Sequence, residues 1–154
     1  MADDIVLKIE GIPGESQLKG HVNDIDVHSV SWGLHNTVST HTGGGGGSGK
    51  VQFQDVHFSK QFDAASHLLQ MRCADGKHIP KAEIIFRKQG EGQKDYLAIT
   101  LTDLLISSYS GGNSGEQFSI QFSKFKFDYK QQDSKGVLGG SKSFSFDIKA
   151  NEVA

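Results

Sequence analysis

The sequence predicts a mainly β fold: a closed or nearly closed β-barrel of antiparallel strands with one flanking α-helix. Short stretches alternate apolar and polar residues, as strands with one buried face do. The 154 residues include 19 glycines but only 2 prolines, a composition that favours many turns. In two long stretches, the apolar residues move part-way from even-numbered to odd-numbered positions or the reverse. This is typical of strands that bend, and a sheet must bend to close into a barrel.

The first half of the chain contains three predicted strands. The first covers residues 5–10, where every second residue from Ile5 onward is aliphatic. The second covers residues 25–32 and the third residues 51–58. Residues 38–50 lie between the last two, show no alternation and are rich in glycine. We therefore expect an extended loop there.

One segment, residues 63–74, predicts a helix. Asp63 is a suitable N-cap because its carboxylate can accept hydrogen bonds from the free amides at a helix start. Apolar residues recur there at the spacing of one helical face, namely Ala65, Leu68, Leu69 and Cys73. Gly76 follows at the position where a left-handed C-terminal cap is expected.

The second half of the chain is predicted to form strands at residues 82–88, 96–102, 104–109, 117–130 and 143–149. In the segment 117–130, apolar residues occupy even positions up to Phe122 and odd positions from Phe125 onward. A straight strand cannot keep both sets on one face. We therefore expect either a β-bulge near Ser123 and Lys124, or burial of opposite faces in the two halves of this strand.

Length and composition predict one domain that spans residues 1–154. The net charge of −2 argues against nucleic acid or an anionic membrane as the main partner. A single cysteine excludes an internal disulfide and favours folding in a reducing compartment. The N-terminal residues lack the basic and apolar regions of a secretory signal. No apolar stretch is long enough to predict a membrane-spanning helix.

The run from Gly43 to Lys50 nearly matches a phosphate-binding loop, G-x-x-x-x-G-K-[ST]. Gly44, Gly49 and Lys50 fit, but Val51 stands where a hydroxyl should hold magnesium. Such a loop must also lead directly into a helix, whose N-terminal amides bind the phosphate. The residues that follow are β-branched and aromatic and predict a strand, so we do not expect nucleotide binding.

No catalytic, cofactor-binding or metal site is predicted. The 7 histidines show none of the spacings, such as H-E-x-x-H, that metal sites use. Cys73 lies in the apolar stripe of the predicted helix, which favours a small buried side chain over a nucleophile. Trp32, the single tryptophan, is expected to anchor the core or an interface.

Six motifs, taken in order, resemble those of one family. They are residues 7–16 (LKIEGIPGES), 25–33 (IDVHSVSWG), 43–58 (GGGGGSGKVQFQDVHF), 74–79 (ADGKHI), 84–88 (IIFRK) and 144–151 (FSFDIKAN). Together they are similar to the haemolysin-coregulated proteins (Hcp), the tube subunits of bacterial type VI secretion. The resemblance runs over residues 5–153. One departure is Phe144-Ser145-Phe146, where many relatives have Phe-Gly-Trp.

The resemblance implies a non-enzymatic structural subunit without a cofactor. It implies six copies closed into a ring, rings stacked into a tube, and effectors carried in the lumen. The implied partners are further copies of the chain, the contractile sheath, the tip spike protein and effector proteins. Assembly in the cytoplasm and export by the type VI system without a signal peptide are expected.

Two sets of residues are candidates for these roles. The extended loop 38–50 is the candidate contact between stacked rings, because glycines adapt their backbone to a partner; its central residues are Gly43, Gly44, Gly45, Gly46, Gly47, Ser48 and Gly49. Ser29 and Ser31 are candidates for the lumen wall, because they are small and polar, although alternation alone does not identify which strand face lines the lumen. The alternative function is a stand-alone barrel that binds one small apolar ligand.

Overall fold

The computed structural model describes residues 3–37, 50–89, 94–132 and 138–154. Within these residues the chain forms strands β1 to β11 and helix α1. Their bounds are β1 Asp4–Ile9, β2 Ile25–Val27, β3 Ser29–Ser31, β4 Leu34–Asn36, β5 Val51–Phe53, β6 Val56–Lys60, α1 Ser66–Asp75, β7 Ile79–Arg87, β8 Asp95–Gly112, β9 Gly115–Gln132, β10 Leu138–Asp147 and β11 Glu152–Val153. The predicted mainly β fold with one helix is confirmed.

Most strands form one antiparallel sheet. Its order is β11–β10–β9–β8–β7–β1–β2, and β6 adds a branch because it pairs with both β9 and β3. Strands β4 and β5 pair with each other in a separate two-stranded sheet. Among the described residues these ladders form an open path of strands, so the closed barrel remains a prediction.

The segment from β2 to β3 joins two distant parts of the large sheet. His28 alone separates the two strands, yet β2 pairs with β1 whereas β3 pairs with β6. The His28 N–H donates to the carbonyl oxygen of Ser59 at 2.8 Å. The prediction of one strand over residues 25–32 is therefore wrong in detail. The chain changes both partner and buried face at His28, since Val27 is buried and Val30 packs against the core.

The core is one cluster of aliphatic and aromatic side chains, most of them from the strands of the large sheet. The rings of Phe58 on β6 and Phe118 on β9 stack with their centroids 4.8 Å apart. Trp32 packs against the same cluster, and its ring meets that of Phe86 edge-on at 6.1 Å. Leu69 brings α1 into the core, where it is fully buried.

Helix α1 begins later than predicted. Ala65 occupies the N-cap position, and Asp63 instead caps the turn before the helix. The Asp63 carboxylate accepts the Ala65 N–H at 2.8 Å, and Ser66 Oγ accepts the Asp63 N–H at 2.9 Å. The predicted C-terminal cap is confirmed, since Gly76 has φ 64° and donates its N–H to the Arg72 carbonyl at 3.0 Å.

Strands β8 and β9 switch their buried faces together. On β9, Phe122 and Phe125 are buried in the same core although their positions differ in parity. The register with β8 is unchanged across this point, but the facing pair Asp103 and Ser123 is missing from the ladder, and Asp103 has φ 51°. The predicted bulge near Ser123 and Lys124 is therefore wrong, because the irregular backbone lies on β8. The two predicted strands 96–102 and 104–109 are one continuous strand.

Other boundaries differ because pairing, and not alternation, decides where a strand ends. The predicted strand 51–58 is two strands, since β5 pairs with β4 whereas β6 pairs with β3 and β9. Strand β10 begins at Leu138, earlier than predicted, because its N-terminal part extends the hairpin with β9. Strand β11, which pairs with the end of β10, was not predicted.

Candidate functional site

Two rows of polar side chains cross the outer face of β3, β6, β9 and β8. Directly opposed residues lie on the same face of an antiparallel sheet. The register therefore aligns one row of Ser31, His57, Ser119 and Ser108, and a second row of Ser29, Ser59, Gln117 and Ser110. We call these residues, together with Ser107, the hydroxyl wall.

Several hydroxyls of this wall bond to one another and to a carboxylate. A register shift between Ile106 and Ser108 makes Ser107 an extra residue on β8. Ser119 Oγ lies 2.7 Å from Ser107 Oγ and 2.5 Å from Ser108 Oγ. Ser107 Oγ in turn donates to Asp55 Oδ2 at 2.7 Å. The wall is thus held by side-chain hydrogen bonds as well as by the backbone ladder.

The structure brings both candidate lumen residues, Ser29 and Ser31, into the hydroxyl wall. Both are exposed, whereas Val30 between them packs against the core. Ser29 Oγ lies 2.5 Å from Ser59 Oγ on the neighbouring strand. The two serines therefore lie on the solvent side of the sheet, and the role of that side in a lumen stays a prediction.

The outer side of β9 changes its charge at Ser123. Before this point the outward residues are Gln117, Ser119 and Gln121. After it they are Lys124, Lys126, Asp128 and Lys130, which we call the basic face. The change coincides with the switch of buried face that Asp103 produces. One long hairpin therefore presents two surfaces, a nearly neutral wall and a positively charged face.

A buried ion pair ties β6 to β9 on the core side of the sheet. Lys60 Nζ donates to Glu116 Oε2, and both side chains are fully buried. The Lys60 ammonium also donates to Asp63 Oδ1 at 2.8 Å. Ser66 Oγ and the Tyr109 hydroxyl donate to the Glu116 carboxylate at 2.6 and 2.5 Å. The cluster connects the start of α1 to the β8–β9 hairpin.

The pKa values in this cluster follow from its hydrogen bonds. Burial acts to raise the pKa of Glu116, but hydrogen bonds from Lys60, Ser66 and Tyr109 together outweigh burial and lower it. Burial, and next the hydrogen bond to the Glu116 carboxylate, raise the pKa of Tyr109 to about 12. The carboxylate is therefore charged and satisfied, which indicates a structural group and not a proton-transfer catalyst.

A second cluster surrounds Asp103 at the bend of the β8–β9 hairpin. His78 Nδ1 lies 2.8 Å from Asp103 Oδ1, and Lys149 Nζ donates to Oδ2 at 3.0 Å. Ser123 Oγ donates to the same carboxylate at 3.1 Å. Hydrogen bonds from His78, Lys149 and Ser123, in that order, lower the pKa of Asp103 to about 2. This carboxylate fastens the C-terminal segment to the bend.

Two carboxylates hold the imidazole ring of His21. Its Nδ1 lies 3.3 Å from Asp24 Oδ2, and its Nε2 lies 2.9 Å from Asp95 Oδ2. Arg87 Nε donates to the second oxygen of Asp95 at 2.7 Å. Burial acts to raise the pKa of Asp95, but the hydrogen bonds from Arg87 and His21 lower it. Among residues 3–37, 50–89, 94–132 and 138–154, no three His, Cys, Asp or Glu side chains converge as a metal-binding group.

Strands β4 and β5 flank the candidate stacking loop in the chain and pair with each other. Residues Leu34–Asn36 of β4 are all exposed, whereas Phe53 at the base of β5 packs its ring 5.5 Å from Phe125. The last contact before the loop is the Thr37 hydroxyl, which donates to the Lys50 carbonyl at 2.9 Å. The central loop residues lie outside the described residues: Gly43, Gly44, Gly45, Gly46, Gly47, Ser48 and Gly49.

Four open clefts of the described surface bear on the alternative function, the binding of one small apolar ligand. The clefts found there have volumes of about 210–440 Å³. Their walls are mostly polar, charged or glycine residues, as in the cleft between His28 and Gln117. Cys73 is half-buried and packs against the core. Within the described ranges, no helix has the length and apolar character needed to cross a membrane.

Residues 6–129 match the family described as "Type VI secretion system effector, Hcp". The chain belongs to the Hcp family. The resemblance seen in the six motifs is therefore confirmed. "Protein hcp1" of Pseudomonas aeruginosa is 42% identical over 162 aligned residues, and the alignment covers 100% of both chains.

Solved Hcp structures share the fold described above. Hcp1 from Salmonella typhimurium is 37% identical, with a TM-score of 0.80 and 100% of both chains covered. A structure described as a type six secretion system protein has a TM-score of 0.91 at 25% identity, and covers 99% of this chain and 100% of its own. The similarity therefore extends over the whole chain and not over one motif.

Sequence reasoning identified two residues of this Hcp surface and missed most of the others. Ser119 lies between the buried residues Phe118 and Ile120, so alternation could have placed it on the outer face, where the structure covers it to 1% exposure. Its bonds to Ser107 and Ser108 depend on the register shift in β8, which no periodicity in the sequence marks. The partner of Lys60, Glu116, likewise required the β6–β9 register.

Proposed function

We propose that this Hcp chain is a structural tube subunit that closes into hexameric rings, which stack into the tube of a type VI secretion system. The observation that carries the proposal is the full-length similarity to Hcp proteins, with 100% coverage of both chains in two comparisons. In this function the chain acts without a cofactor and without catalysis. Assembly takes place in the cytoplasm, and the tube is exported without a signal peptide.

The barrel closes in this proposal through the segment from β2 to β3. That segment already contacts β1 on one side and β6 on the other. A closed barrel presents a continuous outer surface without free strand edges. Such a subunit can contact neighbours in the ring, the sheath, the tip spike protein and effectors through different parts of its surface. A ring of identical subunits needs two complementary patches on each copy.

The hydroxyl wall faces the lumen in this proposal. Most of its side chains are small and uncharged, whereas the basic face, which lies further along β9, is positively charged. A wall of small hydrogen-bonding side chains leaves room for an effector protein and can bond to its polar groups. Ser29 and Ser31 lie at its edge on β3 and are exposed.

Replacing Ser31 with arginine tests the lumen assignment. We expect Ser31→Arg to form rings of normal size but to retain less effector, because a long charged side chain enters the space that cargo occupies. Ring formation is measured by negative-stain imaging, and effector retention by co-purification with the rings. A matched control is Thr100→Arg, on the outer side of β8 opposite Lys126 of the basic face. Loss of the ring in Ser31→Arg, or equal cargo loss in both variants, contradicts a purely luminal role.

Deleting Gly44 to Gly47 tests the stacking role of the loop. The β4–β5 pair supports this role because β4, which precedes the loop in the chain, is exposed at all three of its residues. We expect the deletion variant to form single rings but fewer stacked tubes, and to be secreted less. Images of the purified protein and secretion from cells measure the two effects. Unchanged tube assembly and secretion contradict the proposal.

A further inference from the structure

The direction of the hydrogen bonds in the hydroxyl wall follows from donor counting. Asp55 is a carboxylate and only accepts, so Ser107 donates its single hydroxyl proton to it. Ser119 must then donate to Ser107, because Ser107 has no second proton. Because Ser119 uses its single proton for the bond to Ser107, Ser108 must donate to Ser119. The three hydroxyls form one directed chain that ends on Asp55.

This direction decides what the chain of hydroxyls can offer a partner. All three protons point inward along the chain toward Asp55, so its free positions are oxygen lone pairs. Ser108 is exposed, and Ser107 and Asp55 are half-buried, so these acceptors reach the surface. Among the described residues, Asp55 has no cationic partner, since its hydrogen bond is to Ser107.

The neighbouring groups do not neutralise this carboxylate. Lys60 on the same strand lies on the core side and is committed to Glu116 and Asp63. The lysines of the basic face begin at Lys124, beyond the bend. His57 is the other ionisable side chain of the wall, in the row that contains Ser119. The hydroxyl wall and the adjoining Asp55 thus combine hydrogen-bond acceptors with the negative charge of one carboxylate.

We infer that the hydroxyl wall selects protein segments that present lysine or arginine side chains, with Asp55 as the residue that determines this preference. A cationic side chain carries several donors and no acceptor, which complements a surface of acceptors around a carboxylate. A glutamate-bearing segment meets acceptors and a like charge instead, which disfavours it. The inference rests on the proposed luminal role of the wall, and six such carboxylates would then surround the lumen.

Peptide binding tests the preference directly. The probes are a fluorescein-labelled 12-residue Gly/Ser peptide that carries three lysines and its twin that carries three glutamates. Binding to the full chain is measured by fluorescence anisotropy at pH 8, above the range where histidine side chains commonly titrate. We expect the lysine peptide to bind roughly five times more tightly than its twin, an effect of the size of a single exposed charge pair. The preference should fall to less than about twofold in Asp55→Asn.

The matched control is Asp26→Asn, which removes an equal charge from an exposed position on β2 outside the wall. Equal loss of preference in Asp26→Asn and Asp55→Asn would mean that net charge alone attracts the peptide, and overturns the inference. So does the absence of any preference in the unmodified chain.

A cross-linking measurement on the unmodified protein tests the same inference without relying on the folding of Asp55→Asn. Carbodiimide joins a lysine amine of the peptide to a carboxylate that it touches, and mass spectrometry identifies the carboxylate. Links concentrated on Asp55 support the inference, and links spread over other carboxylates without Asp55 overturn it. The wall is built within one chain, so this readout remains valid for a chain that forms no rings. Rings without an Asp55 link contradict this inference and leave the proposed function intact.

Discussion

At the scale of single residues, the Lys60–Glu116 ion pair combines two fully buried charges, whose removal from water is unfavourable. Two fully buried charges are stable together only because each is paired and hydrogen-bonded. The alternation of β6 places Lys60 on the core side, the same side as the buried residues Val56 and Phe58. The sequence therefore shows that a lysine points inward, but not which carboxylate meets it, since Glu116 is far away along the chain.

Removing Lys60 should destabilise the protein strongly. We expect Lys60→Met to lower the free energy of unfolding by roughly 3–5 kcal/mol, because Glu116 would remain buried without its cation. Urea unfolding at pH 7 and fixed protein concentration measures the change. The double variant Lys60→Met/Glu116→Gln should recover much of the loss. Lys124→Met, which removes an exposed lysine, should cost less than about 0.5 kcal/mol.

A cost below about 1 kcal/mol for Lys60→Met would contradict this account of the pair. So would a double variant that is no more stable than Lys60→Met, because the uncompensated Glu116 charge would then not be the cause of the loss.

At the scale of elements, the β8–β9 hairpin organises both outer surfaces and most of the core. Alternation predicted both long apolar stretches and their change of parity. It could not show that the change occurs at facing positions, Asp103 and Ser123, because that depends on register. The positive φ of Asp103 also escaped prediction, since only a small fraction of aspartates adopt a positive φ and no residue nearby marks this one.

The turn of this hairpin gives an element-scale prediction. Gly115 has φ 133°, and a Cβ atom there would lie 2.6 Å from the Lys60 carbonyl oxygen. We expect Gly115→Ala to cost more than about 1 kcal/mol of unfolding free energy, because alanine fits neither the backbone angle nor the space. Gly112→Ala is the matched control, since a Cβ atom there has no neighbour within 4 Å. Equal stability of the two variants in urea unfolding would refute this explanation of the turn.

At the scale of the whole molecule, the predicted mainly β class with one helix and the predicted family were correct. The closed barrel stays a prediction, and several predicted strands differ in their bounds from those of the structure. Six short motifs were enough for the family because their order spans the chain. The hydroxyl wall could not be predicted as a unit, because it combines residues from four strands that only the register brings together. Ser29 and Ser31 were identified as small polar residues, while the acceptor chain that ends on Asp55 required the distances between side chains of different strands.

The central claim is that this chain is a ring-forming tube subunit, and its mass in solution tests that claim most directly. Six chains of 16.7 kDa weigh about 100 kDa. Native mass spectrometry and sedimentation equilibrium of the purified chain should both give this mass, and negative-stain images should show rings. A single 16.7 kDa species at every concentration, without rings in the images, would contradict the claim and favour the stand-alone barrel.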